Sequence, residues 1–231
     1  MGIARDKETM KKKIAMDFLI PILILMVLTT IFWVTGADMG IQKLFYSPEK
    51  GWYLKDVNPW ALLYDHGNKP GLIIGFSALL VLAVGLFSRH LQHYRKIALF
   101  LIVFLIIGPG LITNTIFKSH WGRPRPRQIV EFGGKERFLP VWVKGISGKG
   151  RSFPSGHASI GFFVLAPFFF LRKNAPKWAV IFLLLGIAYG ILMGIGRIVQ
   201  GGHFASDVLW SFGFTYLTGL ILYYLVRLDR K

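Results

Sequence analysis

Six long uncharged stretches constrain the fold of this chain more than any other feature of its sequence. They contain no Asp, Glu, Lys or Arg, and they cover residues 18–37, 70–88, 97–117, 152–171, 178–196 and 208–226. Each has roughly 20 residues, the length that an α-helix needs to cross the hydrocarbon core of a bilayer. None shows the alternation typical of a membrane β-barrel. We therefore expect an all-α membrane protein with a six-transmembrane helix bundle, and residues 1–231 as a single integral-membrane domain.

The composition excludes most soluble classes of protein. Of the 231 residues, 53% are hydrophobic and 17% are charged, which disfavours disorder, a coiled coil and an ordinary cytosolic enzyme. Cysteine is absent, so disulfides, thiolate metal sites and thiol nucleophiles are excluded. The net charge of +17 could indicate nucleic acid, anionic lipid or an anionic substrate as partner. No folded soluble module is available to bind nucleic acid, so we expect no nucleic-acid partner.

The distribution of cations predicts the orientation in the membrane. Fourteen Lys and Arg lie in the N-terminal arm, in the loops 88–96 and 172–177 and in the C-terminal tail, and the positive-inside rule places these segments in the cytoplasm. The first stretch follows three lysines like a signal peptide, but its core is longer than that of a signal and lacks a clear cleavage site, which favours an anchor. Two long loops then lie on the outer face.

The two outer loops differ in character. The loop 38–69 is balanced in charge and holds six aromatic residues, which predicts a segment lying at the membrane interface rather than a ligand pocket. The loop 118–151 has nine Lys and Arg and breaks the positive-inside rule. We expect that a local function requires this charge.

The first of three candidate clusters begins where the third stretch ends. Lys118 is followed, after six residues, by Arg125-Pro126. A lysine can act as a point charge and an arginine as a bidentate fork for a phosphate. Nonspecific binding of lipid headgroups is the alternative for this cluster taken alone.

The second cluster opens the fourth stretch with Pro154, Ser155, Gly156 and His157. Proline suits a helix start, and Ser155 and Gly156 place a hydroxyl and bare N–H groups at the positive end of the helix dipole, where an anion is favoured. His157 is then available for proton transfer. The alternative is an ordinary helix cap followed by an interfacial histidine.

The third cluster consists of Arg197, His203 and Asp207, with Gly201-Gly202 between them. If a helix begins near His203, then His203 and Asp207 are neighbours on one face of it. A carboxylate bonded to one imidazole nitrogen fixes the tautomer and leaves the other nitrogen as nucleophile. The alternative is a structural His–Asp bond, with Arg197 extending to the headgroups.

All three clusters fall on the predicted outer face. Together they supply a nucleophile, a residue to orient it, a second histidine and several cations, which is the set required for metal-free phosphoryl transfer.

These residues resemble the motifs of the type 2 phosphatidic acid phosphatases, K-x6-R-P, P-S-G-H and S-R-x5-H-x3-D. One departure is Gly196, where the family usually has Ser. The resemblance implies that His203 attacks phosphorus, that Asp207 orients it, and that His157 protonates the leaving oxygen and later activates water. It also implies a set of phosphate-binding residues and no metal or other cofactor. That set is Lys118, Arg125, Ser155, Gly156 and Arg197.

The resemblance further implies a membrane lipid phosphate as substrate and a bacterial inner membrane with the active site at its periplasmic rim. The stretch 122–134 looks like the lipid A 1-phosphatases, and the basic loop would suit a multiply anionic headgroup, with Arg123 and Arg127 as candidate headgroup contacts. Undecaprenyl diphosphate, phosphatidylglycerophosphate and phosphatidic acid are the alternative substrates. A catalytically inert lipid-binding or transport protein is the alternative from another class.

Overall fold

The computed structural model describes the backbone of residues 2–228 and the side chains of residues 8–228. Four of the predicted cytoplasmic cations, Arg5, Lys7, Arg230 and Lys231, have side chains outside this part. The described residues form α-helices, one π-helical segment and short 3-10 turns, without a β-strand. The helices are α1 (Gly2–Thr35), α2 (Ala37–Lys43), α3 (Trp60–His66), α4 (Lys69–Gly85), α5 (Arg95–Leu105), α6 (Lys118–His120), α7 (Gly156–Phe162), α8 (Pro167–Leu171), α9 (Pro176–Val199) and α10 (Ala205–Leu225).

Five helical segments of the described chain are long and apolar enough to cross a membrane: Glu8–Thr35, Trp60–Gly85, Gln92–His120, Pro176–Val199 and Ala205–Leu225. The predicted fourth span is a shorter apolar helix, Gly156–Leu171. It is interrupted by a 3-10 turn at Phe163–Leu165, before Pro167 begins α8. The prediction of an all-α transmembrane bundle is confirmed, and its fourth member is shorter than a full span.

The third span changes its winding just before the first cluster. Between α5 and α6, residues Ile106–Phe117 form a π-helical segment with Pro109 inside it. The amide Nδ2 of Asn114 donates a hydrogen bond to the Pro109 carbonyl five residues earlier (2.7 Å), and its Oδ1 accepts one from Nζ of Lys118 (3.3 Å). The π-helical turn therefore positions Lys118 through Asn114, as such segments often do at functional sites.

Close packing of α9 sets the positions of the second and third clusters. Its buried glycines include Gly186, Gly190 and Gly194, one on each successive turn. A Cβ on Gly190 would overlap the ring of Phe162, and one on Gly194 would overlap Val208. Small residues at this spacing let membrane helices approach closely. Because α9 returns antiparallel to the short helix before it, Arg197 at its end lies at the same end of the bundle as Gly156.

The loop 38–69 packs against the loop 118–151. Its Tyr46 and Trp52 pack with Phe132 of the loop 118–151, with ring centroids 5.2 to 5.4 Å apart. The loops 38–69 and 118–151 thus form one cap over the same end of the bundle. Asp38 and Tyr64, at the two ends of the loop 38–69, reach the predicted site.

Candidate active site

His203 lies in the connection between α9 and α10 and is 1% exposed. Its Nδ1–H donates a hydrogen bond to the carbonyl oxygen of Ser152 (2.5 Å). A carbonyl only accepts, so this bond places the proton on Nδ1 and leaves a lone pair on Nε2. No residue that the structure describes hydrogen-bonds Nε2. The imidazole is therefore held in the tautomer that a nucleophile requires.

Asp207 does not make the hydrogen bond that its spacing from His203 predicts. Its Oδ2 lies 3.7 Å from Nδ1 of His203, because the Ser152 carbonyl occupies the bonding position. Oδ2 accepts instead from Oγ of Ser152 (2.6 Å) and from the backbone N–H of Phe204 (2.8 Å). Ser152 thus contacts both residues, and Asp207 acts on His203 through this shared partner and through its charge.

Arg123 is the buried partner of Asp207. Its Nη1 donates to Asp207 (2.5 Å) and to Ser206 (2.8 Å), its Nη2 donates to Asp38 (2.8 Å), and its Nε donates to the Leu139 carbonyl (2.8 Å). Burial alone would lower the pKa of Arg123, but the attraction of Asp207 and Asp38 outweighs it and raises the pKa. Arg123 is 0% exposed. The expectation that it contacts a lipid headgroup is therefore wrong.

Lys118 and Arg197 lie within electrostatic range of His203, and Arg125 lies within range of both of these cations. The space above Gly156 faces this group, because a Cβ on Gly156 would lie 3.0 Å from Nζ of Lys118. Burial and the charges of neighbouring arginines lower the pKa of Arg125. The Nε atoms of Arg125 and Arg197 are buried and have no hydrogen-bond partner. Unpaired buried donors cost about 1 to 3 kcal/mol each, so the two arginines are arranged for an acceptor such as a phosphate oxygen.

Ser155 and His157 stand at the start of α7. The Ser155 hydroxyl caps this helix by accepting from the Ala158 N–H (3.4 Å), and its own hydrogen can still be donated. The half-buried ring of His157 stacks on Tyr64, with centroids 5.1 Å apart and planes 13° apart. The guanidinium of Arg197 lies over the same Tyr64 ring, 4.6 Å from its centroid. Tyr64 therefore holds the predicted proton donor and one predicted phosphate ligand in place.

The sequence profile of the PAP2 superfamily matches residues 97–231, which contain all three clusters. The chain belongs to the PAP2 superfamily. It is 42% identical to the lipid A 4′-phosphatase of Francisella tularensis subsp. novicida over 134 residues, 58% of this chain and 60% of that protein. It is 33% identical to a lipid A 1-phosphatase of Rhizobium johnstonii over 125 residues, 51% of this chain and 45% of that protein.

A solved structure supports the PAP2 fold over almost the whole chain. The crystal structure of a transmembrane PAP2 type phosphatidylglycerolphosphate phosphatase from Bacillus subtilis matches with a TM-score of 0.53 and 25% identity, covering 92% of this chain and 94% of that one. The alignments span only 40% to 60% of the length of the lipid A 4′-phosphatases that the chain matches.

Several residues of this PAP2 site were not singled out by their sequence context. Asp38 and Tyr64 belong to the aromatic loop that we expected at the interface, and they lie before the superfamily match. Ser152 acts partly through its backbone carbonyl, and because every residue has one, the sequence does not show which carbonyl bonds His203. Arg127 is exposed, as expected for a headgroup contact, and its charge contributes to the lowered pKa of Arg125.

The low pKa of His203 predicts that the protein loses stability in acid. Burial, opposed by the Asp207 carboxylate and reinforced by the charge of Lys118, lowers this pKa from 6.5 to about 3. The unfolded chain therefore binds a proton that the folded chain excludes, and stability is lost as the pH falls below about 6.5. At pH 5 the loss from His203 should be about 2 kcal/mol.

Thermal unfolding in detergent at pH 7.5 and pH 5 measures this effect. We expect the wild-type melting temperature to fall more than that of a His203→Gln variant, which has no imidazole to protonate. Equal shifts in the two proteins would contradict the assignment of the acid sensitivity to His203.

Proposed function

We propose that this chain is a lipid phosphatase that transfers a phosphoryl group first to His203 and then to water. The observation that carries this proposal is the free Nε2 of a neutral, oriented imidazole beside buried arginine donors that have no acceptor. A buried histidine with a pKa of about 3 keeps its lone pair at neutral pH. A general binding site for lipid would not require this tautomer.

The proposed reaction has two steps. Nε2 of His203 attacks phosphorus, the phosphorus–oxygen ester bond breaks, and the departing lipid oxygen takes a proton from His157, whose protonated form the bound phosphate dianion stabilises. His157 then takes a proton from a water that attacks the phosphohistidine, which releases orthophosphate and restores His203. The predicted phosphate ligands stabilise the charge on the transferring group in both steps. They are Lys118, Arg125, Ser155, Gly156 and Arg197.

Asp207 supports the first step electrostatically. Attack by Nε2 leaves positive charge on the imidazole ring, and the Asp207 carboxylate lies 3.7 Å from Nδ1. Ser152 shares this task, because its carbonyl accepts the Nδ1 proton and its hydroxyl holds the carboxylate. The nucleophile is thereby stabilised as it becomes cationic without a change of tautomer.

The location of the site favours a lipid substrate. The catalytic groups lie at the ends of apolar helices, so an ester whose acyl chains stay in the bilayer reaches them more readily than a soluble one. The names of the relatives point to lipid A. The sequence alone favoured its 1-phosphate, whereas identity is higher to the 4′-phosphatase, 42% against 33%. We therefore take the 4′-phosphate as the substrate and keep the 1-phosphate as the second candidate.

The proposed setting is a bacterial inner membrane with cytoplasmic termini and the site facing the periplasm. The loops 88–96 and 172–177, which carry predicted cytoplasmic cations, lie at the opposite end of the bundle from His203. The positive-inside rule supports this orientation.

A comparison of substrates under one detergent condition tests the proposed function. The purified protein is incubated with chelator and with lipid A, undecaprenyl diphosphate, phosphatidylglycerophosphate or phosphatidic acid, and His203→Gln serves as the inactive control. We expect orthophosphate release, with lipid A preferred at least tenfold in kcat/KM, about 1.4 kcal/mol in transition-state stabilisation. Mass spectrometry of the product should show loss of the 4′-phosphate.

The other possible outcomes of this comparison each contradict one part of the proposal. Tenfold preference for another lipid would overturn lipid A as the substrate, and loss of the 1-phosphate would select the second candidate. Loss of activity in chelator would overturn the metal-free mechanism. Release of no phosphate from any lipid would leave the inert lipid-binding protein as the better interpretation.

A further inference from the structure

The loop 118–151 forms a partly open cavity of about 530 Å³ that the proposed chemistry does not use. Four cations line it, Lys135, Arg137, Lys144 and Lys149, against a single carboxylate, Glu136. Among the described residues, none of these four cations lies within 4.0 Å of a carboxylate oxygen. Like charges that converge without a counter-ion repel one another, so the cavity favours an anion.

Backbone contacts give this cavity a defined shape. Gly122 has a φ of +73°, and a Cβ there would overlap the backbone carbonyl of Ile146 on the opposite side of the loop. The Gly145 N–H donates to the Trp121 carbonyl (2.9 Å), and the Ser152 N–H donates to the Arg123 carbonyl (3.0 Å). The loop is therefore tied to the segment that follows Lys118.

The cavity adjoins the catalytic site through that same segment. Gly122 and Pro124 line the cavity, and Arg123 between them turns its side chain away from it, toward Asp207. Arg125, a predicted phosphate ligand, follows directly. One short stretch of chain therefore separates the catalytic site from the second group of cations.

We propose that this cavity is a second phosphate subsite, which takes the phosphate of lipid A that is not being hydrolysed. The inference rests on the proposed function, since the names of the relatives place phosphates at two positions of lipid A. Leu139 and Ile146 supply an apolar wall beside the cations. That combination fits an amphiphilic headgroup better than free phosphate. The subsite would select lipids that carry two separated phosphates.

A double variant, Lys144→Gln with Lys149→Gln, tests the subsite. Its KM is measured for bisphosphorylated lipid A and for a lipid A that carries only the phosphate being hydrolysed. Each lost charge-assisted hydrogen bond is worth a factor of about ten. We expect the ratio of the two KM values, bisphosphorylated over monophosphorylated, to rise at least about tenfold, with kcat for the bisphosphorylated lipid within about twofold. Lys50→Gln is the matched control, because Lys50 is an exposed cation of the other outer loop.

An unchanged KM ratio in the double variant would overturn the proposal. A second arm adds phosphatidylglycerol to the micelles. If the KM values of the double variant differ from those of wild type only when phosphatidylglycerol is present, the cavity binds the headgroup of a neighbouring phospholipid. The assignment of the cavity to the substrate is then wrong. If wild-type protein hydrolyses neither lipid, the proposed function fails. Binding of bisphosphorylated lipid A to His203→Ala protein, with and without the lysine changes, then decides the subsite separately.

Discussion

A His203→Gln variant is expected to lose at least about four orders of magnitude in turnover of lipid A while keeping its fold. Removing a covalent nucleophile generally costs this much or more, because the remaining groups can bind the phosphate but cannot accept it. Turnover under saturating substrate, together with the melting temperature in the same detergent, measures both parts of the prediction. The glutamine has no nucleophilic nitrogen, although it fills similar space beside Ser152.

His120→Gln is the matched control for this variant. His120 lies at the same end of the bundle, and its ring bonds to the Ile116 carbonyl (2.7 Å) outside the group of site residues. We expect turnover within about twofold of wild type, as for a surface substitution away from the site. If His203→Gln retained more than a tenth of wild-type turnover, His203 could not be the nucleophile.

An Arg123→Met variant should lower the free energy of unfolding by about 3 to 5 kcal/mol, since it leaves two buried carboxylates without their cation. Asp38 and Asp207 both bond to Arg123, so the variant removes the guanidinium that links Asp38 of α2 to Asp207 of α10, whereas the hydrogen bonds from Ser206 to Asp38 remain. Chemical unfolding in detergent measures the change. Arg127→Met is the matched control, because Arg127 is exposed, and we expect less than about 0.5 kcal/mol there.

A double variant shows whether Arg123 acts through these carboxylates. Adding Asp38→Asn to Arg123→Met removes one of the two unpaired charges, so part of the lost stability should return. The free-energy change of the double variant should therefore be smaller than the sum of the changes of the two single variants. Asp207 is still without Arg123 in the double variant, so only part of the stability should return. Strict additivity of the two free-energy changes would contradict the coupling of Arg123 to Asp38.

The positions of most helices could be predicted from the stretches of sequence that lack charged residues. The uncharged stretches predict the spans because a lipid-immersed backbone must satisfy its own hydrogen bonds in helices. The fourth span is the exception in length, since Pro167 and the preceding 3-10 turn divide it. The order of the spans also predicts that Lys118, His157 and His203 share one end of the bundle.

The residues that hold the site together could not be predicted in the same way. Arg123 and Arg127 are the two ends of the run Arg-Pro-Arg-Pro-Arg, and only the packing shows that one is buried against Asp207 while the other is exposed. The bond from His203 to the Ser152 carbonyl depends on the path of the backbone. Tyr64 resembles its aromatic neighbours in sequence and differs only by facing His157.

Trapping the phosphorylated enzyme tests the role of His203 as the nucleophile. Wild-type protein is mixed with lipid A carrying labelled phosphate and quenched in alkali within a single turnover, and the labelled residue is identified by mass spectrometry. We expect label on Nε2 of His203, stable to alkali and lost in acid, and no label in His203→Gln. Label on any other residue, or complete turnover without a labelled protein at any time point, would contradict it.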